Sequence, residues 1–251
     1  MCIAVKDILT RIVTQIKGEC ISFWSQLEGY KLHHKFDNSY IGFCRIECHE
    51  ASNHIFIPGE NGEINLMNLN NYKIENTFSC PSDNLGELMV MKCCQFYGQD
   101  LLFAAYETGD IYLWNILTGT SVGQFKIGHV PMAIDFDQDS GRGVCGTESD
   151  SVSIFKVDGD FNFKIEKVFS LKNPGVSAVI IRPDKKIFIL GCWDGNLRVY
   201  SWKSCKIVCV LSEHTETINA LSYSSKIVSM WGSIILAAAC NDKTVSLWSV
   251  Y

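Results

Sequence analysis

Long apolar runs and runs of basic residues are scarce in this sequence of 251 residues. The stretch “MWGSIILAAAC” is far shorter than the ~20 apolar residues that cross a membrane. At the N-terminus, “MCIAVKDIL” places Lys6 and Asp7 where a signal peptide would need its apolar core. The net charge is −5, and basic residues do not run beyond pairs such as Lys185-Lys186. We therefore expect neither membrane association nor direct nucleic-acid binding.

The twelve cysteines are not scarce, but they lack the context of a disulfide scaffold. They are scattered through β-rich segments, and a signal peptide is missing, so the sequence predicts reduced cysteines in an intracellular protein. Cys44 and Cys48, like Cys205 and Cys209, are four residues apart in predicted strands. Cysteines in such strands are more often small buried hydrophobes than metal ligands.

A repeated pattern is the strongest signal that the sequence does contain. Six segments run from a turn residue through alternating aliphatic and polar residues to a large final residue, and 41 to 48 residues separate successive final residues. A WD-repeat blade of four strands has ~40–45 residues. The segments are “KGECISFW”, “ENGEINLM”, “ETGDIYLW”, “ESDSVSIF”, “WDGNLRVY” and “NDKTVSLW”, ending at Trp24, Met67, Trp114, Phe155, Tyr200 and Trp248.

The period predicts an all-β WD-repeat β-propeller, with six recognisable blades of a seven-bladed ring in a single domain over residues 1–251. Each repeated segment is expected to be the third strand of its blade, as “VSIFKV” would be after “MAIDF” and “RGVCGT”. The strand “MCIAV” is expected to be the innermost strand of the first blade. The last blade then lacks its outer strand: a ring of six would leave that blade three-stranded, whereas a ring of seven would leave a gap. We favour the ring of seven, short of one N-terminal blade.

WD repeats share a hydrogen-bonded network, which predicts structural roles for several polar and aromatic residues. In the last repeat, His214, Asp242 and Trp248 fit the network, with Cys240 where serine or threonine is usual. Elsewhere the pattern is degenerate, since packing rather than the network supplies most of the stability. Further members are predicted at His129, Asp194 and Trp114, and Ser149 stands where the fourth repeat would have its aspartate.

Three motifs resemble catalytic or ligand-binding patterns, and each has a plainer interpretation. The glycines of “GRGVCG”, residues 141–146, precede a predicted strand rather than a helix, which indicates a hairpin and not a dinucleotide site. In “HEASNH”, His49 and His54 are not one helical turn apart, as a zinc peptidase requires. His214 and Asp242 lack a recognisable nucleophile. The sequence therefore predicts no catalytic residue, no metal site and no cofactor.

Partner contact is predicted for a few bulky or charged residues in and around the turns between strands. Trp193 precedes Asp194 in the turn before a third strand, and tryptophan and arginine dominate the binding energy of protein interfaces. The competing interpretation is that Trp193 packs over the neighbouring blade. Arg182 and Arg198 complete the set of candidate partner-binding residues.

The segment “NPGVSAVIIRPDKKIFILGCWDGNLRVYSW”, residues 173–202, resembles the guanine nucleotide-binding protein subunit beta-like protein 1 family, whose fungal relative is ASTRA-associated protein 1. The segments “YIGFCRIE”, “AAYETGDIYLWN”, “AIDFDQDSGRGVCGTES” and “NDKTVSLWSVY” agree with that family in the same order. The resemblance covers nearly all of the chain. The departures are the missing N-terminal blade and the substitutions at network positions.

The resemblance implies a seven-bladed, non-enzymatic adaptor, cytoplasmic and nuclear, whose partners are proteins. Relatives work with the co-chaperone complex that stabilises newly made phosphatidylinositol-3-kinase-related kinases, the large kinases of DNA-damage and growth signalling, and the fungal member belongs to a chromatin-linked assembly. A G-protein β subunit is disfavoured, because no N-terminal heptad helix is present to pair with a γ subunit. Two alternatives are a substrate receptor of a ubiquitin ligase and a propeller hydrolase.

Overall fold

The computed structural model describes residues 3–8, 11–25 and 29–250, with the backbone alone for residues 3–8 and Glu50. The fold is all-β, with 23 strands and two short 3-10 segments, Glu50–Ser52 and Glu60–Gly62, over that part of the chain. None of its described helices is long and apolar enough to span a membrane. The strands form six antiparallel blades of the β-propeller type, which confirms the predicted fold class.

The first compact unit, residues 1–126, contains three four-stranded blades in which consecutive strands are neighbours. Its large side chains pack between the sheets, with Phe56, Leu102 and Tyr106 fully buried in one cluster. The blades comprise β1 (Ile3–Ile8), β2 (Arg11–Ile16), β3 (Cys20–Ser25) and β4 (Lys31–Asp37); β5 (Glu47–His49), β6 (His54–Pro58), β7 (Ile64–Asn68) and β8 (Lys73–Phe78); and β9 (Leu88–Phe96), β10 (Gln99–Tyr106), β11 (Asp110–Asn115) and β12 (Thr120–Lys126).

The second compact unit, residues 127–251, contains two four-stranded blades and one whose described strands number three. Its core includes Val144, Phe188 and Leu190, all fully buried. The blades comprise β13 (Pro131–Asp137), β14 (Arg142–Thr147), β15 (Ser151–Val157) and β16 (Phe163–Ser170); β17 (Val176–Ile181), β18 (Ile187–Cys192), β19 (Leu197–Ser201) and β20 (Ile207–Leu211); and β21 (Ile218–Tyr223), β22 (Leu236–Cys240) and β23 (Val245–Trp248).

All six repeated segments contain the third strands of their blades, as the pattern predicted. In each of the five complete blades the pairing between third and fourth strands shifts by one residue at the large final residue of the repeat. The outer strand therefore carries one bulged residue, and such a bulge increases the local twist. The bulged residues are His33, Glu75, Val122, Glu166 and Val208.

The glycine-rich segment and the cysteines are placed by the strands as follows. The “GRGVCG” segment is a hairpin, with Gly141 in the turn and the remainder in β14, as expected. The placement of Cys44 and Cys205 in strands was wrong, because Cys44 lies in the connection before β5 and Cys205 in the connection before β20. All eleven described cysteines are free thiols, and Cys2 lies outside the described residues. The seven-bladed ring and the single domain stay predictions.

Candidate functional site

Asp194 is the centre of a polar cluster at one corner of the fifth blade, in the turn between β18 and β19. Both of its oxygens accept hydrogen bonds from the Arg198 guanidinium, at 2.9 and 2.6 Å. The Asn173 amide donates a third at 2.7 Å, and the backbone N–H of Asn196 donates another at 3.2 Å. The loop before β17 is thereby fixed to the turn before β19.

The electrostatics of this cluster favour the charged form of both partners. Burial by itself raises the pKa of Asp194, but the hydrogen bonds from Arg198, Asn173 and Asn196 outweigh burial and hold that pKa well below its usual range. The hydrogen bonds to Asp194 also raise the pKa of Arg198, against the effect of its burial. The pair is a permanent, internally satisfied ion pair at neutral pH.

Trp193 lies on the same corner, and one face of its indole rests on Gly175. A Cβ atom on Gly175 would lie 2.1 Å from the ring, and Gly175 has a φ of +91°, so glycine is required at this position on two grounds. The backbone N–H of Trp193 also donates to the Gly175 carbonyl at 3.0 Å. The side chain is still 40% exposed. The tryptophan is therefore fixed by contacts within its own blade, and the rest of its surface is exposed to solvent.

The two candidate arginines lie inside the protein, each only 6% exposed. Arg182 donates to the Asp184 carboxylate and to the Val250 carbonyl, both at 2.7 Å, and so ties the end of β17 to the segment after β23. Arg198 is paired with Asp194 as described. Both guanidinium groups are thus paired within the protein, and contact of Arg182 and Arg198 with a partner protein stays a prediction. Burial leaves Trp193 as the exposed member of the predicted set, and partner contact by it stays a prediction.

The last blade contains a continuous hydrogen-bonded chain from a tryptophan to an aspartate. The Trp248 indole N–H donates to Ser246 Oγ at 2.7 Å, Ser246 Oγ is 2.7 Å from His214 Nε2, and His214 Nδ1 is 2.9 Å from Asp242 Oδ2. The aspartate can only accept, so Nδ1 carries the ring proton and Nε2 accepts from Ser246. The three predicted residues are thus connected.

Ser246 is the one residue of this hydrogen-bonded series that the sequence did not predict. Cys240, in the usual serine or threonine position, instead donates to the Glu216 carbonyl at 3.1 Å and accepts from the Asp242 N–H at 3.4 Å. The signal that could have identified Ser246 is the strand period, because residues two apart on β23 share a face and place Ser246 beside Trp248.

His214, Cys240 and Asp242 also form a group with the composition of a metal site. Their ligand-type atoms all lie within 4.8 Å of one another. Each of these atoms already has a partner in the protein, through the contacts given above. Hydrogen bonding among Ser246, Glu216 and these three side chains accounts for the arrangement without an ion.

The other predicted network residues have different environments. His129 is 45% exposed and lies 4.0 Å from a Glu148 oxygen. Trp114 packs edge-on against Phe78 with ring centroids 5.6 Å apart, and its buried indole N–H has no hydrogen-bond partner among the described residues. Ser149, in the aspartate position of the fourth repeat, contacts Thr147 at 2.9 Å. In these repeats packing and local turns replace the His–Asp network.

A second network, which the sequence did not reveal, joins the fourth and fifth blades around Asp137. The Trp202 indole N–H donates to Asp137 at 3.1 Å, and Lys185 lies 3.5 Å from the same carboxylate. The Arg142 guanidinium stacks 4.5 Å from the Trp202 ring and donates to its carbonyl at 2.9 Å. None of these residues stands at a repeated position, so no periodic signal marks them.

Comparisons with known proteins agree with this architecture. The family model described as WD domain, G-beta repeat matches residues 165–201 and 205–249. The chain is 31% identical over 152 residues, 60% of its length, to mouse guanine nucleotide-binding protein subunit beta-like protein 1, of which the match covers 44%. It is 35% identical over 79 residues, 32% of its length, to ASTRA-associated protein 1 of Schizosaccharomyces japonicus, covering 20% of that protein.

A broader WD-repeat relationship is also visible. The chain is 30% identical over 149 residues, 57% of its length, to mouse WD repeat-containing protein 1, covering 22% of that protein. The matches span less than half the length of each of these relatives.

Proposed function

We propose that this chain, which belongs to the WD-repeat family, is a non-enzymatic scaffold that binds other proteins. The observation that carries the proposal is the fixed, half-exposed Trp193 ring on the corner of the fifth blade. Gly175 supports the ring from below, and the Asn173–Asp194–Arg198 cluster holds both loops that carry it. An aromatic side chain ordered before binding loses little conformational entropy on contact, which suits it to anchor a partner.

The more specific proposal is that the partners are phosphatidylinositol-3-kinase-related kinases and their co-chaperone complex. The chain would assist the maturation and stability of these kinases, in both cytoplasm and nucleus, and so act in DNA-damage and growth signalling and in a chromatin-linked assembly. Two findings support this proposal. The sequence resembles guanine nucleotide-binding protein subunit beta-like protein 1, and the name of the fungal relatives, ASTRA-associated protein 1, associates those proteins with ASTRA.

Affinity purification from the protein's own cells, followed by mass spectrometry, tests both levels of the proposal. The tagged chain is compared with Trp193→Ala and with Trp231→Ala, a control tryptophan of similar exposure, 44%, in the connection between β21 and β22. We expect the wild type and Trp231→Ala to recover large kinases and chaperones, and Trp193→Ala to lose at least about tenfold of that recovery.

Each other outcome has a defined meaning. Recovery of a ubiquitin-ligase adaptor in place of kinases and chaperones would support the substrate-receptor alternative. Protein partners of another class would leave the scaffold role and refute the kinase proposal. Equal recovery by both tryptophan variants would refute the role of Trp193.

A further inference from the structure

A groove of about 560 Å³ lies in the second unit, between β16 of the fourth blade and strands β19 and β20 of the fifth. Phe169 and Tyr200 form part of its wall, with ring centroids 5.0 Å apart, and Ile207 and Val210 add aliphatic surface. The groove thus offers an apolar cleft with room for a large side chain. At one end it becomes polar, through Lys172, Asn173, Asn196 and Ser212.

The bulge between β19 and β20 determines which β20 side chains line this apolar surface. Tyr200 pairs with Ile207 and Arg198 with Val210, so these four residues share the face that lines the groove. This pairing is possible because the bulge leaves Val208 out of register. A regular strand would place Val208 and Val210 on this face, whereas the bulge places Ile207 and Val210 there.

The charge of the groove is unlike that of the protein as a whole. The chain carries a net charge of −5, yet the lining includes the cations Lys172 and Arg198 and no carboxylate. The charge of Arg198 is neutralised by its ion pair with Asp194, which does not line the groove. Lys172 is exposed and makes no ion pair among residues 29–250. A negatively charged group would therefore be favoured at the polar end.

The strand β20 is also an unprotected sheet edge. Its sequence, “IVCVL”, contains no charged residue, whereas each of the other described outer strands, β4, β8, β12 and β16, contains lysine. Ile207, Val208 and Val210 are exposed along it. An edge strand has unpaired N–H and C=O groups, and charged residues normally prevent another chain from pairing with them.

We propose that an extended segment of a partner protein adds to β20 as a further strand, with an apolar side chain in the groove and a carboxylate at Lys172. Main-chain hydrogen bonds to β20 supply affinity, and the groove and the lysine supply specificity, as in other cases of strand addition. The proposal rests on the scaffold function proposed above and defines the chemistry of the segment that the scaffold accepts.

The test uses a random dodecapeptide phage library selected on the full chain. An enriched peptide is synthesised with fluorescein and titrated by fluorescence anisotropy against Val210→Asp and Lys172→Glu. The matched controls are Val168→Asp and Lys164→Glu, two exposed positions on β16 that do not line the groove. Hydrogen exchange of the β20 amides is measured with and without peptide.

We expect enriched peptides with an apolar residue beside aspartate or glutamate, and slower exchange at residues 207–211 when the peptide is bound. Both groove variants should weaken binding about tenfold or more, and both controls should change it by less than about twofold. Lys172→Glu changes an exposed side chain and retains the fold, so it decides the test even where Val210→Asp unfolds the blade.

The proposal is overturned if no peptide is enriched, if enriched peptides bind the groove variants as well as the controls, or if the β20 amides gain no protection. These results are separable from the affinity purification. A chain that recovers partners from cells but selects no such peptide refutes the groove and leaves the scaffold proposal standing.

Discussion

At the scale of single residues, the corner of the fifth blade shows that residue type alone does not determine whether a side chain is available to a partner. Trp193 and Arg198 stand five residues apart in one turn-and-strand segment and look equally suited to grip a partner. The structure exposes the tryptophan and buries the arginine against Asp194. Whether a charged residue is free depends on whether the fold supplies an opposite charge, which the linear sequence does not state.

The buried pair predicts a stability that depends on pH. Asp194→Asn leaves the buried Arg198 guanidinium without its counter-charge, so at pH 7 the variant should lose about 3 kcal/mol of unfolding free energy. The folded-state pKa of Asp194 lies below its unfolded value, so the stability from its charge is present above about pH 4 and is lost as pH falls through the folded pKa. Urea unfolding of both proteins from pH 7 to pH 3 measures the difference, which should shrink in acid.

Asp158→Asn provides the control for this prediction, since Asp158 accepts hydrogen bonds from Asn162 in an exposed turn and has no cationic partner among the described residues. The control should lose less stability than Asp194→Asn. Equal losses in the two variants, or a difference that does not shrink at all between pH 7 and pH 3, would show that the ion pair is not the source.

Gly175→Ala should be more damaging than its left-handed backbone alone explains. The added methyl group meets the Trp193 ring, and the φ of +91° is unfavourable for alanine, so we expect a loss of about 3 kcal/mol with a shift in tryptophan emission. Gly98→Ala is the matched control, with a φ of +71° and open space around the position, and should lose only about 1 kcal/mol. Chemical denaturation followed by fluorescence measures both.

A double-mutant cycle with Trp193→Ala identifies the cause. If the ring is what the methyl group meets, Gly175→Ala should cost much less in the Trp193→Ala background. An unchanged cost would assign the whole effect to the backbone.

At the scale of elements, the third strands share a sequence pattern and the outer strands do not. The third strand of every blade combines a turn, a strand period and a large final residue, so its position follows from the sequence alone. The outer strands vary from “KIENTF” to “IVCVL” and share no pattern. Their common feature, the bulged residue, is a property of pairing and appears only when two strands lie side by side.

The apolar edge of β20 predicts self-association that one substitution should reduce. Val208 is 57% exposed at the bulge, and the second and fourth blades have glutamate at the equivalent position, Glu75 and Glu166. Val208→Glu should therefore be accommodated by the backbone and should repel edge-to-edge pairing. We expect less oligomer in sedimentation velocity at high protein concentration, with a change in unfolding free energy below about 0.5 kcal/mol.

Val208→Ile serves as the control for that substitution, because it keeps the apolar edge and should self-associate like the wild type. Oligomer that persists unchanged in Val208→Glu would mean that β20 is not the edge responsible.

At the scale of the whole molecule, composition and period together predicted the fold class, but not which side chains hold the blades together. Ser246 and Asp137 are ordinary polar residues in the sequence, and each becomes the centre of a network only through residues that folding brings near. The His–Asp pair of the last repeat was predictable because its spacing belongs to the repeat. The Asp137 network was not, because its members lie outside the repeated positions.

The free cysteines make a prediction for the whole chain. Burial raises the pKa of Cys44 and Cys145 far above its usual range and that of Cys192 to about 11, so these thiols stay protonated and unreactive at pH 8. Iodoacetamide should label them slowly in the native protein, whereas all eleven described thiols should be labelled rapidly in denaturant without reductant. Peptide mass spectrometry gives the extent at each position.

The partly exposed Cys209 and Cys80 are internal references that should react before the buried thiols. A thiol that needs reductant before it can be labelled in denaturant would contradict the assignment of free cysteines.

The recurrent bulge has a consequence for exchanging parts between blades. In five blades the outer strand carries one residue more than its partner at the same point. The alternation of side chains between the two faces of the sheet is therefore shifted by one residue after the bulge. A chimaera that transplants an outer strand together with its bulged residue keeps each transplanted side chain on its original face. A graft that aligns strands by length alone places the side chains beyond the bulge on the opposite face of the sheet. The bulged residue, and not the strand length, is therefore the position to align when recombination or design exchanges an outer strand between blades.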